Sequence, residues 1–287
     1  MPKLRFRMID VFTEVRFGGN PLGVFFDADE IDAAIMQTMA RELNMSEIVF
    51  LSRPTDPANT ARVRIFTPEL EIAFAGHPNV GVGWALAEDG LTGPFRLEQP
   101  AGIVTVEVDD NPTVRRCRIA APKTLQLGEA PDRTLVAPCA SLQSDEIGMP
   151  RLASVGLATL CVEVSPEALD RASCDPVAFA RLAMQRPDLA DICLLMLYTR
   201  DQHRIDARMF APLSGTIEDP ATGSAAAALA ALLLAESKDD QLTLEITQGV
   251  KMGRPSEMQV EARRTPDGIR AWVGGACVPV LSGEALL

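Results

Sequence analysis

Arg64-Ile65-Phe66-Thr67-Pro68 and Arg208-Met209-Phe210-Ala211-Pro212 are two versions of one phrase, offset by 144 residues (64 to 208) in a chain of 287. Each leads through a loop to a glycine and an apolar run of helical character: Ala75-Gly76-His77 in one copy, Thr222-Gly223-Ser224 in the other. The echo extends upstream, where Glu47-Ile48-Val49-Phe50-Leu51 stands opposite Asp191-Ile192-Cys193-Leu194-Leu195 at the same offset. An offset near half the chain length reads as a duplicated unit and hence as two lobes of similar build. Each copy ends in a helix that starts at a glycine. Free backbone N–H groups and the helix dipole make such starts suited to anions. A cleft between half-chain lobes is a common place for a small molecule.

Working outward, residues 6–12 and 22–26 read as strands around the turn Gly18-Gly19-Asn20-Pro21. Asp27-Ala28-Asp29 offers the N-cap of a helix with Ile31, Ile35, Met39 and Leu43 on one face. Residues 47–51 and 61–66 are strand-like, and Pro78 suits the first turn of the next helix, which runs to Glu88 with Gly90 past its end. Gly81, Gly83 and Ala85 on that helix predict close packing. The second half repeats the order: Asp175 caps a helix carrying Phe179 and Leu182, and residues 192–198 and 205–210 are strands. An alanine-dense helix follows from Gly223 to Glu236. The last fifty residues read as strands broken at Gln248-Gly249, at Met252-Gly253-Arg254-Pro255 and at Gly274-Gly275. Strand-rich lobes with two helices each predict an α+β protein, divided into residues 1–130 and 131–287, with the C-terminal strand crossing back to the first lobe.

A net charge of −12 with no offsetting basic run argues against nucleic acid or an anionic membrane as a partner. The N-terminal stretch alternates charged and apolar residues, unlike a signal sequence, and no apolar run approaches the ~20 residues of a membrane span. A cytoplasmic location is the expectation. Six cysteines without a C-x-x-C pair, and only two histidines, predict reduced thiols and no metal site.

Four residues could carry chemistry: Glu47, His77, Asp219 and Ser224. Taken singly, each has a plainer explanation. Glu47 would be solvated, His77 a satisfied cap, Asp219 before Pro220 a turn, and Ser224 an ordinary helix-start residue. The duplication changes this balance. The copies share a scaffold yet differ in polar groups, with Glu47 against Asp191 and His77 against Ser224. Two different polar tips can do acid/base work on two sides of one molecule.

Several spaced stretches, in order, make the chain resemble the phenazine biosynthesis PhzF-like family of the diaminopimelate epimerase fold over essentially its whole length. They are Asp10-Val11-Phe12-Thr13 with Gly19-Asn20-Pro21, Glu42-Leu43-Asn44-Met45-Ser46-Glu47, Arg64 to Pro68 with Phe74-Ala75-Gly76-His77-Pro78, Glu218-Asp219-Pro220-Ala221-Thr222-Gly223-Ser224-Ala225, and Gln248-Gly249 with Met252-Gly253-Arg254-Pro255. The resemblance implies two pseudo-symmetric lobes, each a strongly curved, barrel-like sheet around a central helix, with the active site in the cleft between them.

It further implies isomerisation of a small carboxylate without a cofactor or metal, similar to that of trans-2,3-dihydro-3-hydroxyanthranilate, and a homodimer as the assembly. Glu47 matches the family's general acid/base, with His77 and Asp219 as the other catalytic groups. Asn20, Gly76, Gly223 and Ser224 match its substrate-binding positions. Asn79 departs from the pattern, standing where threonine is usual after His-Pro. The alternatives are an epimerase or racemase of an amino or hydroxy acid, and a non-catalytic carboxylate binder. Epimerases of the wider fold place a cysteine at each helix start. Here His77 and Ser224 stand there, which disfavours chemistry by two thiols.

Overall fold

Alternating apolar and polar residues make strand the commonest regular structure in this chain, and two apolar runs make its central helices. In a computed structural model, residues 3–109, 111, 114–190 and 193–287 are described; Asp191 and Ile192 of the upstream echo lie outside them. The chain divides into two compact units, Met1–Ala120 with Gly274–Leu287, and Ala121–Val273.

In chain order the first unit holds β1 (Lys3–Val11), β2 (Asn20–Phe25), α1 (Ala33–Leu43), β3 (Ile48–Ser52), β4 (Ala61–Phe66) and the short β5 (Glu71–Ile72). It continues with α2 (Gly76–Glu88), β6 (Phe95–Gln99), β7 (Gly102–Val108) and β8 (Arg116–Ala120). The second unit holds β9 (Gln126–Gly128), α3 (Arg133–Val136), β10 (Arg151–Ser154), β11 (Ala158–Glu163), α4 (Pro166–Arg171) and α5 (Pro176–Gln185). It continues with β12 (Leu194–Asp201), β13 (Arg204–Ala211), β14 (Thr216–Asp219), α6 (Gly223–Glu236), β15 (Gln241–Gln248) and β16 (Ser256–Thr265). The 19-residue β17 (Gly268–Leu286) serves both, its first six residues in the second unit and the rest in the first.

Pairing in the first unit runs β1–β2–β3–β4–β6–β7–β8–β17 and back to β1, so eight strands close into a barrel. Two neighbours are parallel, β2 with β3 and β4 with β6. A parallel pair needs a crossover, usually a helix, and α1 and α2 supply the two. The second unit repeats this logic. Its parallel pairs are β11 with β12, bridged by α4 and α5, and β13 with β15, bridged by β14 and α6. The sheet returns on itself where Ala121 N–H donates to Ala271 O at 2.8 Å and Leu125 N–H to Ile269 O at 2.8 Å. The fold is α+β, two barrel-like lobes each built around one helix.

The central helices follow from composition. A helix buried on every side has no room for a polar face, and α2 is buried from Gly76 to Ala87 while α6 is buried at Gly223 and from Ala225 to Leu234. Small residues let the barrel wall close on α2. A Cβ on Gly81 would lie 2.5 Å from Leu22 Cδ2 of β2, and one on Gly83 would lie 2.4 Å from Val106 Cγ1 of β7. α1 instead packs outside the wall, in a core with Phe25, Phe50 and Phe66.

Three expectations change. α1 starts at Ala33, later than the Asp27-Ala28-Asp29 cap suggested, and it buries Met36 and Ala40 while Ile35 and Leu43 stay exposed. Asp27 adopts a left-handed φ of 58°, and Ala28 N–H is committed to Leu51 O at 2.8 Å, so the segment anchors to β3 before it can coil. Gly274-Gly275 breaks nothing. β17 runs straight through, and Gly274 is glycine because a Cβ would meet Arg118 Cβ at 2.5 Å and Cys117 O at 2.6 Å across from β8. The second lobe also carries α3 and α4 beyond the two helices expected, both packed into its Phe179 core.

Candidate active site

In the first unit, Glu47 sits one residue before β3 and His77 is the second residue of α2. No side chain caps α2, because Ala75 holds the N-cap position. His77 Nδ1–H donates to Glu47 Oε2 at 2.8 Å, with the two side chains 5% and 19% exposed. His77 Nε2 is buried and has no hydrogen-bond partner, at a cost of ~1–3 kcal/mol that a bound polar group would relieve. Asn20, which opens β2, is buried and accepts from Ser46 Oγ at 3.3 Å, tying the bend before Glu47 to β2. Gly76 is buried at the helix start.

In the second unit, Asp219 ends β14 and is 9% exposed. Thr222, the N-cap residue of α6, donates its hydroxyl to Asp219 Oδ2 and so leaves the helix uncapped. Gln248 is fully buried; its Nε2 donates to Asp219 O at 2.7 Å and to Thr222 Oγ1 at 3.2 Å. Gly249 lets the chain close over this turn. With a φ of 77°, it approaches so near that a Cβ would meet Arg254 O at 2.4 Å and Pro220 O at 2.7 Å. Ser224, the second residue of α6, holds the position that His77 holds on α2, next to Gly223.

Each lobe therefore presents an uncapped helix start beside a carboxylate that is tied to it: Glu47 through His77, Asp219 through Thr222. Sequence reasoning named both carboxylates and both helix starts. It gave no role to Thr222 or Gln248, although Gln248-Gly249 is one of the matched stretches.

Residues 9–283 match the family described as phenazine biosynthesis-like protein. The chain belongs to that family. An uncharacterized isomerase of Mesorhizobium japonicum is 36% identical over the full length of both chains. The trans-2,3-dihydro-3-hydroxyanthranilate isomerase of Pseudomonas aeruginosa is 35% identical over 99% of each. The crystal structure of a PhzF-family protein from Bacillus anthracis matches with a TM-score of 0.88 at 23% identity over all of both chains, a likeness of fold. Relatives across the phenazine biosynthesis-like family carry the name isomerase, and this chain is an isomerase of that kind.

Against that family pattern, Asn79 turns inward. Its Nδ2 donates to Ala75 O at 2.8 Å and to Gln99 Oε1 at 3.3 Å, while Gln99 donates back to its Oδ1. The amide pair is satisfied within the lobe. All six cysteines are unpaired, and none begins α2 or α6. Burial pushes the Cys117, Cys139 and Cys161 thiols up to about 12, so they stay protonated and inert near neutral pH. Among the described residues no group of three or more His, Cys, Asp or Glu is placed to hold a metal ion, and no helix is long and apolar enough to cross a membrane.

Proposed function

We propose that the protein isomerises a small carboxylate without a cofactor, moving a proton between carbons with Glu47 as acid and base, in the manner named for its Pseudomonas relative. The Glu47–His77 pair at an uncapped helix start carries this reading. Oε2 is held by His77, which fixes the carboxylate plane and leaves Oε1 as the proton carrier. Oε1 takes a proton from carbon, the electron pair moves along the conjugated system, and the same oxygen returns the proton to another carbon on that face. The α2 and α6 starts, through Gly76, Gly223 and Ser224, hold the substrate carboxylate or the developing oxyanion. Asn20 and Asp219 complete the polar contacts. To this reading we add a cytoplasmic location, expected from the sequence, and a homodimer, implied by the resemblance.

The test is deuterium uptake at carbon in D₂O, followed by NMR over a panel of cyclic and acyclic carboxylates headed by trans-2,3-dihydro-3-hydroxyanthranilate. Uptake supports the isomerase; binding without uptake by any member replaces it with a carboxylate-binding protein. Ser224→Ala weakens binding of the exchanging carboxylate by about 1–3 kcal/mol, since a charged group loses one hydrogen bond; calorimetry that gives an unchanged Kd removes Ser224 from the site. Treating the native protein with iodoacetamide leaves uptake intact, because no thiol stands at a helix start. Loss of uptake on alkylation would count against Glu47 as the proton carrier and favour a thiol-based racemase instead.

A further inference from the structure

Both copies of the repeat carry a second matched pair that the proposed chemistry does not use. In the first unit Arg64 Nε and Nη2 donate to the two oxygens of Glu71 at 2.7 and 2.6 Å. In the second, Arg208 Nε and Nη2 donate to the two oxygens of Glu218, both at 2.8 Å. Each guanidinium also lies over the ring two residues on, 5.2 Å from the Phe66 centroid and 5.1 Å from that of Phe210. The arginine stands on a barrel strand, β4 or β13, and the glutamate on the short strand, β5 or β14, that leads to the helix start. A two-point bond between planar groups fixes angle as well as distance.

The copies differ in what the pair controls. Arg208 Nη1 donates to Leu169 O at 3.2 Å and to Ala172 O at 2.5 Å, so the guanidinium is braced against the end of α4. Arg208 and Glu218 are 12% and 15% exposed, more enclosed than Arg64 and Glu71. The residue after Glu218 is Asp219, where the residue after Glu71 is Ile72. Successive side chains on a strand point to opposite faces. Drawing Glu218 onto Arg208 therefore commits the Asp219 carboxylate to the other face, where the Thr222 hydroxyl meets it and Gln248 holds the backbone oxygen of the same residue.

We infer that Arg208–Glu218 is a positioning pair that aims the Asp219 carboxylate, and that Arg64–Glu71 is the same clamp with no carboxylate to aim. The inference rests on the reading of Asp219 as a working group.

Its test has two arms. In protein labelled with ¹³C-carboxyl aspartate, the Asp219 signal is assigned by its loss in Asp219→Asn. Glu218→Leu moves that signal toward its position in Thr222→Val, which lacks the hydroxyl, while Glu71→Leu leaves it in place. An unmoved signal in Glu218→Leu overturns the inference whether or not the enzyme turns over. Should Glu218→Leu not fold, Arg208→Lys, which keeps the charge but not the fork, is expected to shift the same signal, and an unmoved signal again counts against the pair.

The second arm uses turnover of trans-2,3-dihydro-3-hydroxyanthranilate. Glu218→Leu lowers kcat by up to the order of 10²-fold, the loss that a misplaced group can bring, with KM little changed. Glu218→Leu combined with Asp219→Asn is no slower than Asp219→Asn alone, because the pair acts through that carboxylate. Effects that multiply would show Glu218 acting elsewhere and sink the inference. If Asp219→Asn leaves turnover untouched, the reading of Asp219 fails, and the carbon signal still decides whether the clamp aims it.

Discussion

Glu47→Gln is expected to lower turnover by roughly 10²–10⁴-fold, the usual contribution of a positioned general base, while the protein still folds. Glutamine has nearly the shape of glutamate, and its carbonyl oxygen can accept from His77 Nδ1–H as Oε2 does now. What it lacks is the ability to take up and return a proton. Because the loss falls on the chemical step, kcat declines and binding of the carboxylate changes little. Deuterium uptake at carbon, compared between wild type and variant at equal occupancy, makes the measurement, with circular dichroism to check the fold. Full turnover in the variant would take Glu47 out of the mechanism and leave the Glu47–His77 contact a structural one.

Phe50→Ala is expected to cost the first lobe about 3–5 kcal/mol, the range for removing a buried phenylalanine. Phe50 is fully buried on β3, stacked on Phe25 with ring centroids 5.0 Å apart and edge-on to Phe66 at 5.6 Å. Met36 and Ala40 of α1 close the same core from outside. The cavity would open three residues from Glu47, where the wall and α1 meet. Trp84, buried on α2, reports this lobe once Trp272 is replaced by phenylalanine. The urea midpoint followed by its fluorescence should fall sharply, and an unchanged midpoint would show that the aromatic cluster does not hold this barrel together.

The duplication could be read in the sequence because its signals are local. An Arg-x-Phe-x-Pro phrase and a glycine-led apolar helix recur wherever a parallel crossover has to refill a barrel, and α2 ends at Glu88 with Gly90 just beyond, as composition suggested. The face of α1 was misread by one position, since Asp27 and Ala28 are spent on a contact with β3 that lies twenty-odd residues away. At the site, Glu47 and His77 were legible as polar residues at special places. Their pairing at 2.8 Å was not, because it depends on β3 and α2 meeting in the fold. Gln248 was hidden for the same reason. Its partners Asp219 and Thr222 lie on the far side of α6 in the sequence and come within reach only when β15 pairs with β13. The Arg–Glu clamps were visible as half a motif, the arginine recurring without its acid, because the two glutamates sit at slightly different distances from it.

The shared strand β17 sets an order of manufacture. The domain whose translation begins first cannot seal its staves until Gly274–Leu287 leave the ribosome, whereas the later one has all its parts at Val273. Until then β1 and β8 wait as bare edges, the kind that recruit stray strands. A premature stop codon in the stretch that encodes β17 would therefore injure the lobe made first.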